Sequence, residues 1–60
     1  MTYEEIKQKR IELGLSQQRF AEKLGVTVRT ISRWERGVSR PSPLAIMGIK
    51  RILENGGGQA

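Results

Sequence analysis

The chain has 60 residues, with 11 Lys and Arg against 6 acids, all of them Glu, for a formal net charge of +5. A chain this short forms one domain and buries only about 60% of its unfolded surface, which excludes a catalytic cleft between domains. Cys and His are both absent, which excludes disulfide frameworks, thiol or imidazole metal sites, and Ser–His or Cys–His catalysis; no catalytic residue, metal or cofactor is assigned.

The first predicted helix opens at Thr2, three residues before Glu5 in capping-box spacing, and runs to about Leu13. A second starts at Gln17 behind Ser16, an N-cap residue type, and ends at Leu24 with Phe20, Ala21 and Leu24 inward. The third follows Thr27 and runs from Val28 to Arg36. The fourth has Ser42 as N-cap and Pro43 at the first helical position, and continues to about Glu54. Gly14, Gly25, Gly37 and Gly56 each stand just past a helical stretch, where a left-handed residue closes a helix. Nothing alternates as a strand would. The expected fold is therefore all-α: a compact bundle of four or five short helices in one domain over residues 1–55, with 56–60 a flexible Gly-rich tail.

Helix three carries the most information. At about 100° per residue, Ile31 and Trp34 fall on one side, flanked by Val28 and Glu35. The opposite arc holds Arg29, Ser32, Arg33 and Arg36 and no acid. A merely solvated helix usually mixes signs to gain i,i+4 pairs. Unopposed Arg favours phosphate or guanine edges, because its planar fork matches both. The segment before it supplies the rest of a helix-turn-helix over residues 17–36. Ala21 lets two steeply crossed helices approach, and Gly25 supplies the positive φ of the tight turn. Phe20, Leu24, Val26, Ile31 and Trp34 would form the shared core.

Two charges look misplaced. Arg10 projects between Tyr3 and Ile6, inside the apolar stripe that Leu13 completes, and Glu35 projects between Val28 and Ile31. Either charge left buried alone costs several kcal/mol, so the economical arrangement is an Arg10–Glu35 pair across the core.

Leu13-Gly14-Leu15-Ser16-Gln17-Gln18, followed by Ala21, Gly25, Thr27, Ile31, Ser32 and Trp34-Glu35-Arg36-Gly37, resembles the phage repressor and Cro type of helix-turn-helix, the XRE family of bacterial and phage regulators. Arg40-Pro41-Ser42-Pro43 ahead of an apolar helix is similar to DNA-binding domains of antitoxins and small regulators. The resemblance covers about residues 3 to 53 and implies a lambda-repressor-like fold with helix three in the major groove. Carried over position by position, it gives base reading to Val28, Arg29 and Arg33, with Thr27 at the margin. It gives phosphate contacts to Gln17, Ser32, Arg36 and Arg40, and it matches Arg10–Glu35 to a buried salt bridge of the family. It also implies a cytoplasmic, nucleoid-associated protein.

On helix four, Leu44, Ala45, Ile46, Gly48, Ile49, Ile52 and Leu53 spread over roughly 200° of arc, wider than one core face requires. The excess suggests a covered face at Ile46, Ile49 and Leu53, for a homodimer or a partner protein of the toxin type, with Gly48 permitting close approach of another helix. The leading expectation is a sequence-specific regulator that binds double-stranded DNA, most simply as a repressor. The alternative is a protein-interaction module of the antitoxin type whose apolar helix 43–54 binds its partner, with DNA binding secondary. A membrane role fits poorly because no apolar run reaches about 18 residues and the basic residues sit on a folded face. RNA recognition calls for exposed stacking aromatics, and Tyr3, Phe20 and Trp34 all read as internal.

Overall fold

The computed structural model describes residues 1–55. Four helices follow in chain order: α1 (Tyr3–Glu12), α2 (Gln17–Leu24), α3 (Val28–Glu35) and α4 (Pro43–Glu54). No strand occurs among the described residues, and none of these helices is long and apolar enough to cross a membrane. Gly56 and the tail expected at 56–60 lie outside the described residues.

Each helix starts where a side chain captures a backbone N–H that has no intrahelical acceptor. Thr2 Oγ1 accepts from the Glu5 N–H at 3.2 Å, and Glu5 Oε1 accepts from the Thr2 N–H at 3.0 Å, closing a capping box. Ser16 accepts from the Arg19 N–H, Thr27 from that of Thr30 and Ser42 from that of Ala45. The helix ends are equally explicit. After α2, Gly25 takes φ +74°, the Val26 N–H donates to the Ala21 carbonyl at 3.0 Å, and the Gly25 N–H reaches the Glu22 carbonyl. This Schellman closure reverses the chain within two residues and delivers Thr27 to cap α3.

The core is built from one or two residues per helix: Ile6 from α1, Phe20 and Ala21 from α2, Ile31 and Trp34 from α3, and Ile49 from α4. Burying a side chain of this size contributes about 1.5–3 kcal/mol. Leu13, Leu15, Leu24, Val26, Ala45, Ile52 and Leu53 close over its edges.

Two expectations are corrected. Tyr3 is not internal: it is half exposed, its ring lying along Gly37 in the loop after α3. Of the α4 residues expected to face a partner, Ile49 instead enters the core and Leu53 packs against it, while Ile46 lines an open cavity with Ile6 and Trp34. Ile49 is fully buried, and Ile46 and Leu53 are half-buried. Ala45, Ile46, Gly48, Ile49, Ile52 and Leu53 fill an arc of about 160°, which packs mainly on α2. Gly48 does permit a close approach, but the approaching side chain is Leu24 of the same chain, at 3.1 Å from where a Cβ would stand. The apolar side chains that α4 leaves in solvent are Leu44 and Met47.

Candidate nucleic-acid interface

α3 turns its apolar half inward and its cationic half outward. Ile31 is fully buried and Trp34 nearly so, while Val28, Arg29 and Arg33 are exposed. Arg29, Arg33 and Arg36 fall within about 60° of arc, because they are spaced by four and three residues. Among the described residues none of these three, nor Arg40, forms an ion pair; the two ion pairs present are Lys9–Glu12 and Arg10–Glu35. The only acid on α3 is Glu35, and it is buried. The exposed side of α3 therefore carries positive charge with no local compensation, and long-range attraction toward a polyanion follows.

The candidate reading residues differ in their freedom. Arg29 and Arg33 stand one turn apart on the outer face, each able to present its fork to a guanine O6 and N7. Val28 is 39% exposed, enough to meet a thymine methyl. Thr27 is committed elsewhere. Its Oγ1 caps α3 through the Thr30 N–H and lies 3.0 Å from the Thr30 hydroxyl. Ser32 is half-buried, and its carbonyl accepts from the Arg36 N–H and, at 3.4 Å, from Arg36 Nε. Arg36 thus folds back over the last turn of α3, while Arg40 stands exposed in the loop beyond it.

A buried polar node ties α3 to the rest of the molecule. Arg10 Nε donates to Glu35 Oε2 at 2.6 Å and Arg10 Nη2 to Glu35 Oε1 at 3.2 Å, with the two side chains 11% and 3% exposed. Such a bidentate pair offsets desolvation only when its remaining hydrogen-bonding capacity is met. Here it is met. Arg10 Nη1 donates to the Leu15 carbonyl at 2.8 Å, and Gln17 Nε2 donates to Glu35 Oε1 at 3.1 Å. No buried side-chain polar atom among the described residues lacks a partner. One carboxylate therefore joins the end of α3, the last turn of α1, the turn at Leu15 and the first residue of α2.

The Gln17 hydrogen bond is what reading the sequence missed. Gln17, expected to hold a phosphate, spends half of its donor capacity inside. A signal existed: a buried glutamate accepts more hydrogen bonds than one arginine supplies in this geometry, so a second donor was to be sought near the helix ends. Leu44 and Met47 were missed as the exposed apolar pair of α4, because periodicity ranks faces without saying where neighbours end.

Comparison with known proteins adds a family. A helix-turn-helix family model matches residues 6–54. The chain is 42% identical over 52 residues to the type II methyltransferase M1.ScrFI of Lactococcus lactis subsp. cremoris, spanning 82% of this chain but 13% of that protein. It is 35% identical over 48 residues to an uncharacterized HTH-type transcriptional regulator of Sinorhizobium medicae, covering 80% of this chain and 34% of that protein. An uncharacterized HTH-type transcriptional regulator of Methanothermobacter thermautotrophicus is 44% identical over 48 residues, which is 80% of this chain and 70% of that one. The chain spans about a third or less of the length of the first two relatives. No solved structure matches it.

Proposed function

This chain belongs to the helix-turn-helix family of DNA-binding transcription regulators, and from that premise we propose that it binds double-stranded DNA in a sequence-specific manner, with α3 in the major groove. The observation that carries the reading is the row of exposed guanidiniums on α3, unpaired among the described residues. Arg29 and Arg33 read base edges, with Val28 beside them. Arg36 and Arg40 grip the backbone, Gln17 and Ser32 contribute further phosphate contacts, and Thr27 fixes the start of the reading helix. The protein acts as a repressor by occupying an operator. No catalysis is assigned: the sequence holds no His or Cys, and the match to a methyltransferase concerns 13% of that protein.

Selection from random duplex DNA at near-physiological salt tests this. Enrichment of guanine-containing half-sites supports the reading, and an inverted repeat with centres about 10 base pairs apart adds a homodimer on DNA. Arg29→Ala with Arg33→Ala abolishes the enrichment. If the double variant enriches the same sequence as the wild type, α3 is not the reading helix.

A second reading, of an interaction module for a toxin-like partner, is favoured by the exposure of Leu44 (77%) and Met47 (61%) on the solvent arc of α4. The discriminating substitution is Met47→Glu, at an exposed position that spares the core. Loss of partner capture with intact DNA selection identifies this face as the docking surface.

A further inference from the structure

We propose that Glu35 is a positioning residue for the DNA-backbone contact of Gln17, an inference that rests on the DNA-binding reading above. The Glu35 side chain is 3% exposed, so it acts through what it holds rather than by touching DNA. A carboxylate only accepts hydrogen bonds. The Gln17 group facing it at 3.1 Å is therefore the Nε2 amide end, and this removes the usual ambiguity in the orientation of a glutamine. Of the two Nε2 hydrogens, one is spent on Glu35 and one remains for a phosphate oxygen.

The anchoring reaches further than one side chain. Glu35 also holds Arg10, whose Nη1 fixes the Leu15 carbonyl, two residues before Gln17 and next to the α2 cap Ser16. Both the backbone leading into α2 and the carboxamide at its first position are thus set by the same carboxylate, before any DNA arrives. Ordering a long polar side chain in advance removes a cost otherwise met on binding. A buried hydrogen-bond partner of this kind is worth roughly three- to tenfold in affinity.

The test uses the full chain and a duplex of about 20 base pairs of random sequence, since phosphate contacts do not depend on sequence. Affinity is measured by fluorescence anisotropy for wild type, Gln17→Ala, Glu35→Gln and the double variant. Circular dichroism confirms that each is folded at the working temperature. A glutamine at position 35 turns an N–H2 toward Gln17 or withdraws one acceptor, so the carboxamide loses its set orientation.

Glu35→Gln and Gln17→Ala are each expected to weaken binding three- to tenfold, and the double variant to bind no worse than Gln17→Ala. If Glu35→Gln weakens binding equally with and without Gln17, Glu35 serves the fold alone and the proposal falls. An NMR measurement on wild type settles the matter where Glu35→Gln does not fold. One Gln17 Nε2 proton should be shifted by its carboxylate partner in the free protein, and DNA should move the other while the first stays bonded. Gln17 Nε2 protons at the ordinary positions of a solvated carboxamide, or loss of the internal bond on DNA, overturns the proposal. A wild type that binds no duplex at low salt removes the DNA reading itself. A wild type that binds, with Gln17→Ala binding equally well, removes only this inference.

Discussion

Tyr3 and Gly37 are in direct contact: a Cβ placed on Gly37 would lie 3.2 Å from Cδ1 of the Tyr3 ring. Gly37 also has φ +74°, so two independent features disfavour a side chain there. Gly25 has the same φ but nothing within 4 Å of its Cβ direction. Alanine at Gly25 therefore meets only the left-handed penalty, about 1–2 kcal/mol. At Gly37 it must also displace an aromatic ring lying against the loop that leads to Arg40. We expect Gly37→Ala to cost at least about 1 kcal/mol more than Gly25→Ala in urea unfolding. Adding Tyr3→Ala should remove most of that difference. Equal costs for the two glycine variants would mean that the ring yields freely.

The Arg10–Glu35 node gives a different pattern. Truncating Glu35 to Ala leaves Arg10 largely buried, its guanidinium held only by the Leu15 carbonyl among the partners described above. Breaking a buried pair in this way costs about 3–5 kcal/mol, comparable with the whole stability of a domain at the low end of the usual range. Glu35→Ala should therefore be largely unfolded at room temperature. Replacing both charges, Arg10→Leu with Glu35→Leu, should recover a large part of the loss, because no uncompensated charge remains. A double variant as unstable as the sum of the singles would mean that the node contributes more by fixing helix geometry than by mutual compensation.

The capping box of α1 predicts an acid-side pH dependence. The Glu5 carboxyl is held below its ordinary pKa, first by the Thr2 backbone N–H and then by the Thr2 hydroxyl. A carboxyl whose folded pKa is depressed adds stability that is present above its unfolded pKa. That stability is lost as pH falls from about 4.3 through the lower folded value. Thermal unfolding followed across this window should show a component that disappears in Glu5→Gln. Thr2→Ala should reduce it as well, with an additional loss of about 1 kcal/mol at neutral pH from the missing N-cap. An unchanged acid limb in Glu5→Gln would assign the pH dependence to other carboxyls.

What could be read from the sequence divides along physical lines. Helix limits at Thr2, Ser16, Thr27 and Ser42 were legible because capping is local chemistry, decided within four residues. The Arg10–Glu35 approach was legible because two isolated charges inside apolar stripes have few affordable alternatives. The covered side of α4 was not. Ile49 and Leu53 read as surplus apolar area because periodicity counts faces of one helix and is blind to how far its neighbours reach. The position of Tyr3 escaped for a related reason: the first turn of α1 overhangs the core, and its ring finds Gly37 rather than the interior. The Gln17–Glu35 bond joins residues 18 apart in sequence, and no local pattern encodes it.

Arg36 and Arg40 are separable from Arg29 and Arg33 by salt. Binding through phosphates releases counterions, so log K falls with log salt at a slope of about −0.9 for each phosphate neutralised. Arg36 leans on the last turn of α3 through the Ser32 carbonyl, and Arg40 stands in the following loop, both exposed. Arg36→Ala or Arg40→Ala should each flatten the slope by about 0.9 and leave the preferred sequence intact. Arg29→Ala or Arg33→Ala should instead cost about 1–3 kcal/mol on the selected site and relax preference at a single base position. Anisotropy titrations at several salt concentrations, on the selected duplex and on a scrambled one, distinguish the two behaviours. A changed base preference in Arg40→Ala would move that residue from backbone to groove. The loop held by Tyr3 against Gly37 would then be part of the reading surface.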